Sequence, residues 1–160
     1  MGVEVHGCAN LTAMKIPEGI HLGEKAFGNC TGLTELDIPN GVSLGEHAFG
    51  SCTGLMRVKL PVDQAYEDVF FDTCNVTEIE YTPGVTGKMT DRFYGQDDNG
   101  DDLNSRTLEW YSSNKLEKVI FDEGVTYIWE CAYSVFGNDY ANGSYCNRQV
   151  VLKVCHFHNQ

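Results

Sequence analysis

Four cysteines stand at a constant spacing in the first half of the chain. Cys8, Cys30, Cys52 and Cys74 are each separated by 22 residues. Similar sequences fill the intervals, such as LTAMKIPEGIHLGEKAFGNC and LTELDIPNGVSLGEHAFGSC, each ending in one of these cysteines. A repeat of this length is typical of solenoids and related architectures. The spacing therefore predicts stacked units, each too small to bury its apolar side chains alone.

Within one unit, the pattern L-x-x-L-x-I followed by proline predicts a short strand. Leu36 and Ile38 alternate with Glu35 and Asp37, which is the period of a strand with one buried face. The proline that follows ends the strand because it has no amide proton to donate to a neighbour. Residues 46–49 are expected to form a single helical turn on the opposite side of the coil.

Alignment of the units predicts columns of side chains that run from one unit to the next, with six strands in all. In this alignment, strand positions from successive units become neighbours in a parallel sheet. The apolar strand columns are Met14, Leu36, Val58, Ile79, Val119 and Leu152, then Ile16, Ile38, Leu60, Tyr81, Phe121 and Val154. The aromatic column is Phe27, Phe49, Phe71, Tyr94 and Tyr133.

Most of the strand positions predicted to face solvent are charged, and the sign of the charge alternates from unit to unit. Opposite charges side by side in a sheet stabilise strand pairing, so one reading is a self-satisfied ladder that fixes register. The other reading is a face that binds a partner. The two predicted exposed columns are Ala13, Glu35, Arg57, Glu78 and Lys118, then Lys15, Asp37, Lys59, Glu80, Ile120 and Lys153.

Residues 96–113 interrupt the repeat and are expected to form an inserted loop. Trp110 and Tyr111 within it are of the types that dominate interface hot spots, although they would equally serve to pin the loop onto the coil. Loops added to a rigid scaffold are common places for binding residues. The candidate partner-binding residues are therefore Glu35, Asp37, Arg57, Lys59, Glu78, Glu80, Lys118, Trp110 and Tyr111.

The start of this insertion carries an acidic run that first suggests calcium. It fails the EF-hand pattern, because Gly95 and Arg106 would stand at the first and twelfth loop positions. An irregular calcium site and a solvated loop both remain open. The carboxylates concerned are Asp97, Asp98, Asp101 and Asp102.

The seven cysteines do not read as a disulfide framework. Five share one repeat slot, so their Cβ vectors run parallel and the geometry is wrong for bridging. They are expected to be buried thiols that pack as small apolar groups. Cys131 and Cys155 lie outside that slot and are the candidates for bridging or reactivity. The slot residues are Cys8, Cys30, Cys52, Cys74 and Cys146.

Composition excludes several classes of function. The net charge of −12 argues against nucleic acid binding, which needs a basic surface. No apolar run approaches the length of a membrane-spanning helix, so membrane insertion is not expected. Neither a nucleophile elbow nor a phosphate-binding glycine loop is present, so we expect no enzyme, no cofactor and no metal site.

At this point the sequence resembles a known family, the BspA-type leucine-rich repeats of bacterial cell-surface proteins. The two repeats quoted above carry the resemblance, together with LEKVIFDEGVTYIWECAY at 116–133. The resemblance implies an α/β fold, a right-handed leucine-rich-repeat solenoid. Its parallel sheet would line the concave face, with short helical turns and loops on the convex face. It also implies extracellular adhesion or partner binding and not catalysis.

These arguments predict one domain over residues 1–160, with regular rungs at 8–95, the insertion at 96–113 and irregular rungs at 114–154. The abrupt start of the repeat suggests a piece of a longer protein, whose signal and anchor lie elsewhere. The chain is expected to be a monomer. The expected function is a non-catalytic adhesion module for a host or extracellular-matrix protein. A structural spacer in a surface protein is the alternative, and a calcium- or glycan-binding module using the acidic insertion is a third option.

Overall fold

A computed structural model of the protein describes residues 7–64, 66, 68–70, 75–89, 115–128 and 149–153. These residues form seven short strands and no helix. The strands are β1 (His21–Leu22), β2 (Glu35–Asp37), β3 (Ser43–Leu44), β4 (Arg57–Pro61), β5 (Glu78–Thr82), β6 (Lys118–Phe121) and β7 (Gln149–Leu152).

Five strands form one parallel sheet in the order β2-β4-β5-β6-β7, called the main sheet below. Leu36 pairs with Val58, Val58 with Ile79, and Ile79 with Val119. This register is the one that the repeat alignment predicted, and it holds across the insertion between β5 and β6. The parallel sheet of stacked units is therefore confirmed, whereas the right-handed coil stays a prediction.

The predicted register of the last strand is wrong by two residues. The alignment set Leu152 beside Val119, but the structure pairs Val119 with Val150, and Leu152 with Phe121. A shift of two leaves the same side chains on each face, because the side-chain period of a strand is two. The hydrophobic pattern therefore could not reveal the error.

The first rung, residues 8–29, does not contribute the strand predicted around Met14 and Ile16. Among the described residues, only one backbone hydrogen bond links this segment to the β2 region, from Thr34 N to Thr12 O at 3.4 Å. Side chains of this rung are also less buried than their counterparts one repeat later. Leu11 and Phe27 are half-buried, whereas Leu33 and Phe49 are fully buried.

Turns, and not helical turns, stack on the side opposite the main sheet. The amide of Ala48 donates to Gly45 O, and Gly50 donates to His47 O. Between them His47 has a φ of 54°, and Lys25 one repeat earlier has a φ of 53°. A residue in the left-handed region cannot continue a right-handed helix, so the segment closes as consecutive turns.

These turns are tied together between rungs by backbone hydrogen bonds. Lys25 N donates to Glu46 O at 2.9 Å, and His47 N donates to Asp68 O at 2.6 Å. Beside the turns, β1 and β3 form a second, two-stranded parallel sheet that the sequence did not predict. The coil is thus held by parallel hydrogen-bonded ladders on more than one side.

The core lies between the main sheet and the stacked turns. Phe27 stacks on Phe49 with ring centroids 5.6 Å apart, and Phe49 stacks on Phe70 at 5.8 Å. The alignment had placed Phe71 in this column. The stacked ring is that of Phe70, because the third unit is one residue shorter than the first two. The same shortening pairs Arg57 with Glu78, 21 residues later.

The cysteine column is confirmed where the structure describes it. Cys30 and Cys52 are free thiols with no exposed surface, and the Cys52 Sγ donates to Phe27 O at 3.2 Å. Burial raises the pKa of the Cys52 thiol to about 11. Cys8, in the first rung, is half-buried. The remaining cysteines, Cys74, Cys131, Cys146 and Cys155, lie outside the described residues.

Candidate functional site

The solvent-facing side of the main sheet, called the outer face below, carries the candidate residues predicted on the strands. Alternation along each strand places them there, since the residues between them point into the core. The strand register aligns them in two columns, which are Glu35, Arg57, Glu78 and Lys118, then Asp37, Lys59 and Glu80. Trp110 and Tyr111 lie outside the described residues, and their roles stay predictions.

Neighbouring strands place opposite charges together in the first of these columns. Arg57 Nη1 lies 3.3 Å from Glu35 Oε1, and Lys118 Nζ lies 3.9 Å from Glu78 Oε2. The first pair is well exposed, with 64% and 65% of the two side chains accessible. Such exposed pairs contribute about 1 kcal/mol or less to stability.

A tighter charge network joins Lys59 and Glu80 of the second column to Asp122 and Lys153 from later rungs. Lys153 Nζ lies 2.9 Å from Glu80 Oε1 and 2.8 Å from Asp122 Oδ1. Lys59 Nζ reaches the same two carboxylates at 3.4 and 3.8 Å. Two lysines thus share two acids, and the network links the four neighbouring strands from β4 to β7.

The network changes the ionisation of its members. Partial burial by itself raises the pKa of the Glu80 carboxyl, but hydrogen bonds with Lys153 and Asp122 and the charge of Lys59 outweigh it. The pKa of Glu80 falls to about 2 as a result. The hydrogen bonds that Lys153 donates to the carboxylates of Asp122 and Glu80 raise the pKa of its ammonium above the ordinary value.

The lowered pKa of Glu80 makes a prediction about acid stability. A carboxyl whose pKa is lower in the folded state stabilises the fold at pH values above its pKa in the unfolded chain, here 4.5. That stabilisation is lost as the pH falls towards 2. We expect Glu80→Gln to cost about 1 kcal/mol or less at pH 7, since the site is partly open to solvent. The cost should vanish near pH 2 in urea unfolding curves. Glu35→Gln serves as the control, and a cost that grows on acidification would contradict the assignment.

Two predicted outer-face positions are corrected by the structure. Ile120 was expected to be exposed, but only 5% of it is accessible, and it lies between Glu80 and Val151 in the sheet. Lys153 was placed beside Ile120. It lies instead beside Asp122, since its amide donates to Phe121 O at 2.9 Å, just beyond the end of β7.

Asp122 is the member of the charge network that sequence reasoning missed. It follows Phe121 directly, in the slot where earlier units carry Pro39 and Pro61 and where β5 ends with Thr82. A charged residue in a slot otherwise filled by proline or threonine was the signal. The signal was weak, because the partner, Lys153, was assigned to a different column.

The outer face contains a groove of about 360 Å³ at the end nearest the first rung. Six of the nine candidate residues line this groove, whereas Lys118 does not. The lining of the groove includes two apolar residues of the first rung, Ala13 and Met14. The six candidates that line it are Glu35, Asp37, Arg57, Lys59, Glu78 and Glu80.

The described part of the chain holds neither a metal-binding cluster nor a membrane-spanning helix. No three histidine, cysteine or acidic side chains there converge in a way that could hold a metal ion. No segment of those ranges forms a helix with the length and apolar character needed to span a membrane. The acidic run of residues 97–102 lies outside the described residues, so calcium binding by it stays a hypothesis.

Comparison with known protein families decides the classification. A family model described as BspA type leucine rich repeat region, with six copies, matches residues 5–98, which is more than half of the chain. The chain belongs to the BspA-type leucine-rich repeat family. The resemblance noted in the sequence is thereby confirmed. No curated protein and no solved structure matches the chain.

Membership in the BspA-type family indicates the general class of function but not the partner. Leucine-rich repeats of this type are generally non-enzymatic modules, commonly bind proteins, and are typical of bacterial surface proteins. The family match ends at residue 98, but β6 and β7 continue the main sheet beyond it. Repeat architecture in this chain therefore extends to residues that the BspA-type model does not match.

Proposed function

We propose that this chain is a non-catalytic protein-interaction module that acts outside the cell and presents its outer face to a protein partner. The observation that carries the proposal is the groove, because six residues predicted from sequence as binding candidates line it. Its volume falls within the range of roughly 300 to 1,000 Å³ found for ligand clefts. A repeat scaffold supports such a surface rigidly, since each rung is fixed by its neighbours.

A structural spacer is the second candidate, and the charge network favours it. Lys59, Glu80, Asp122 and Lys153 satisfy one another at 2.8 to 3.8 Å, and such internally paired charges hold strands in register without any ligand. A spacer would need the network but not the groove. The two functions therefore differ in whether the function requires the groove: a binding module requires it, and a spacer does not.

The discriminating experiment measures retention of purified extracellular-matrix proteins on the immobilised chain by surface plasmon resonance. The outer-face variant combines Glu35→Gln with Arg57→Gln and so removes one exposed ion pair from the groove. A matched control combines Glu24→Gln with Lys25→Gln, which removes an exposed ion pair at 3.0 Å on the turn side. Both variants conserve net charge.

For a binding module, the outer-face variant should weaken retention at least tenfold, and the control should stay within about twofold, since rim charges away from a contact contribute little. Retention of no matrix protein by the unmodified chain would favour the spacer. Equal loss in both variants would show that binding does not use the outer face.

A further inference from the structure

We infer that the groove accepts an arginine side chain from the partner protein, with its guanidinium at Asp37 and its aliphatic stem over Ala13 and Met14. This inference rests on the proposed function and specifies the chemistry of the partner. The ion pairing in the groove, the apolar residues that line it and the kind of side chain that fits both support this assignment.

The groove carries more negative than positive charge. Four carboxylates and two cations line it, which leaves an excess of two negative charges. Glu35 is paired with Arg57, Glu80 with Lys59, and Glu78 with Lys118 from outside the groove. Among the described residues, no cation lies within ion-pair distance of Asp37. A cation from the partner would therefore meet an acid that the protein itself leaves available.

The strand neighbour that could neutralise Asp37 is engaged elsewhere. Lys59 pairs with Asp37 in the backbone register of β2 and β4. Its ammonium, however, lies with Glu80 and Asp122 at 3.4 and 3.8 Å. Lys15 occupies the same column one repeat earlier by sequence, but it does not line the groove and forms no described ion pair with Asp37.

The part of the groove lined by the first rung has room for an apolar stem. Ala13 stands in the repeat slot that holds Glu35, Arg57 and Glu78 in later rungs, so the first rung has a methyl group where the others have long charged side chains. Met14 beside it is half-buried and also lines the groove. A partner side chain that reaches Asp37 along this part of the groove would therefore lie against apolar surface.

Arginine suits this combination better than lysine. Its methylene stem covers apolar surface while its charged end remains hydrated, and its planar fork donates two parallel hydrogen bonds to one carboxylate. Glu35, two residues before Asp37 on the same face, adds a second carboxylate within the groove. The observations thus favour a partner segment that carries arginine and not simply any basic protein.

The test uses fluorescently labelled, end-capped peptides of sequence Ser-Arg-Ser-Arg-Ser, with lysine and citrulline versions, titrated with the chain and followed by fluorescence anisotropy. Asp37→Asn removes the charge without changing the size of the side chain. Its matched control is Asp68→Asn, an exposed aspartate whose backbone belongs to the stacked turns. The control measures what the loss of one charge from a chain of net charge −12 does by itself.

Asp37→Asn should weaken binding of the arginine peptide about tenfold, as expected for loss of a charged hydrogen-bonded contact, whereas Asp68→Asn should change it less than twofold. The lysine peptide should bind several-fold more weakly than the arginine peptide, and the citrulline peptide should not bind measurably. Equal weakening by the two variants, or equal affinity for arginine and lysine, would overturn the inference.

Failure of this inference is distinguishable from failure of the proposed function. In one outcome, retention of matrix protein requires the Glu35 and Arg57 pair, but Asp37→Asn does not change peptide binding. That outcome would support the interaction module and overturn the arginine site. Absence of retention together with Asp37-dependent binding of the arginine peptide would overturn matrix binding while supporting the site chemistry.

Discussion

Gly45→Ala is expected to destabilise the protein by about 3 kcal/mol, because the added methyl group has no space. A Cβ at this position would lie 2.6 Å from both the Glu24 nitrogen and the Gly23 carbonyl carbon. Those are backbone atoms of the preceding rung, which cannot swing aside as a flexible side chain would. The rungs would have to separate locally and would lose hydrogen bonds such as Gly45 N to Leu22 O at 2.7 Å.

Gly23→Ala is the matched control, since Gly23 fills the same repeat slot one rung earlier. A Cβ there meets no atom within 4 Å, and neither glycine has a positive φ. We expect this change to be neutral or slightly stabilising, because alanine restricts the unfolded chain more than glycine does. Urea unfolding followed by far-ultraviolet circular dichroism would compare the two. Equal costs would show that rung contact at this slot does not limit stability.

Leu55→Ala is expected to cost about 2–5 kcal/mol, the range for removing a fully buried leucine. Leu55 has no exposed surface and stands in a column between Leu33 and Val76, which are also fully buried. The cavity left by the substitution is bounded by rungs that hydrogen bonds hold at a fixed separation. The surrounding side chains can therefore close it only in part.

The control for this prediction is Leu11→Ala, in the same slot of the first rung. Leu11 is only partly buried, so its truncation removes less apolar contact and leaves a site that is open on one side. We expect a cost less than half that of Leu55→Ala, measured under the same denaturant conditions. A larger cost at Leu11 would mean that the first rung holds the stack together more strongly than its hydrogen bonding indicates.

The repeat by itself determined most of the strand register. A spacing of 22 residues predicted that Glu35 and Arg57 are neighbours, and the L-x-x-L-x-I pattern carried the columns on to Ile79 and Val119. Both were confirmed. Sequence suffices here because a fixed spacing aligns similar units, and a slip of one residue would turn each buried leucine or isoleucine towards solvent.

The register predicted from sequence was wrong where burial of the apolar side chains does not distinguish one alignment from another. Phe70 replaced Phe71 in the ring stack because one unit is a residue shorter, and two adjacent phenylalanines fit the sequence pattern equally well. The β7 register differed by two residues because a two-residue shift keeps the same faces buried. In both cases the hydrophobic pattern is compatible with either alternative, so it could not decide between them.

Ion pairing on the outer face was decided by the tertiary structure. The sequence places Lys59 beside both Asp37 and Glu80 in the predicted column, and only the fold shows that its ammonium lies with Glu80 and Asp122. A lysine side chain is long enough to reach several neighbouring rungs, so its partner depends on which acids already have a cation. Strand pairing follows from the periodicity of the backbone, whereas charge pairing depends on side-chain reach and competition in three dimensions.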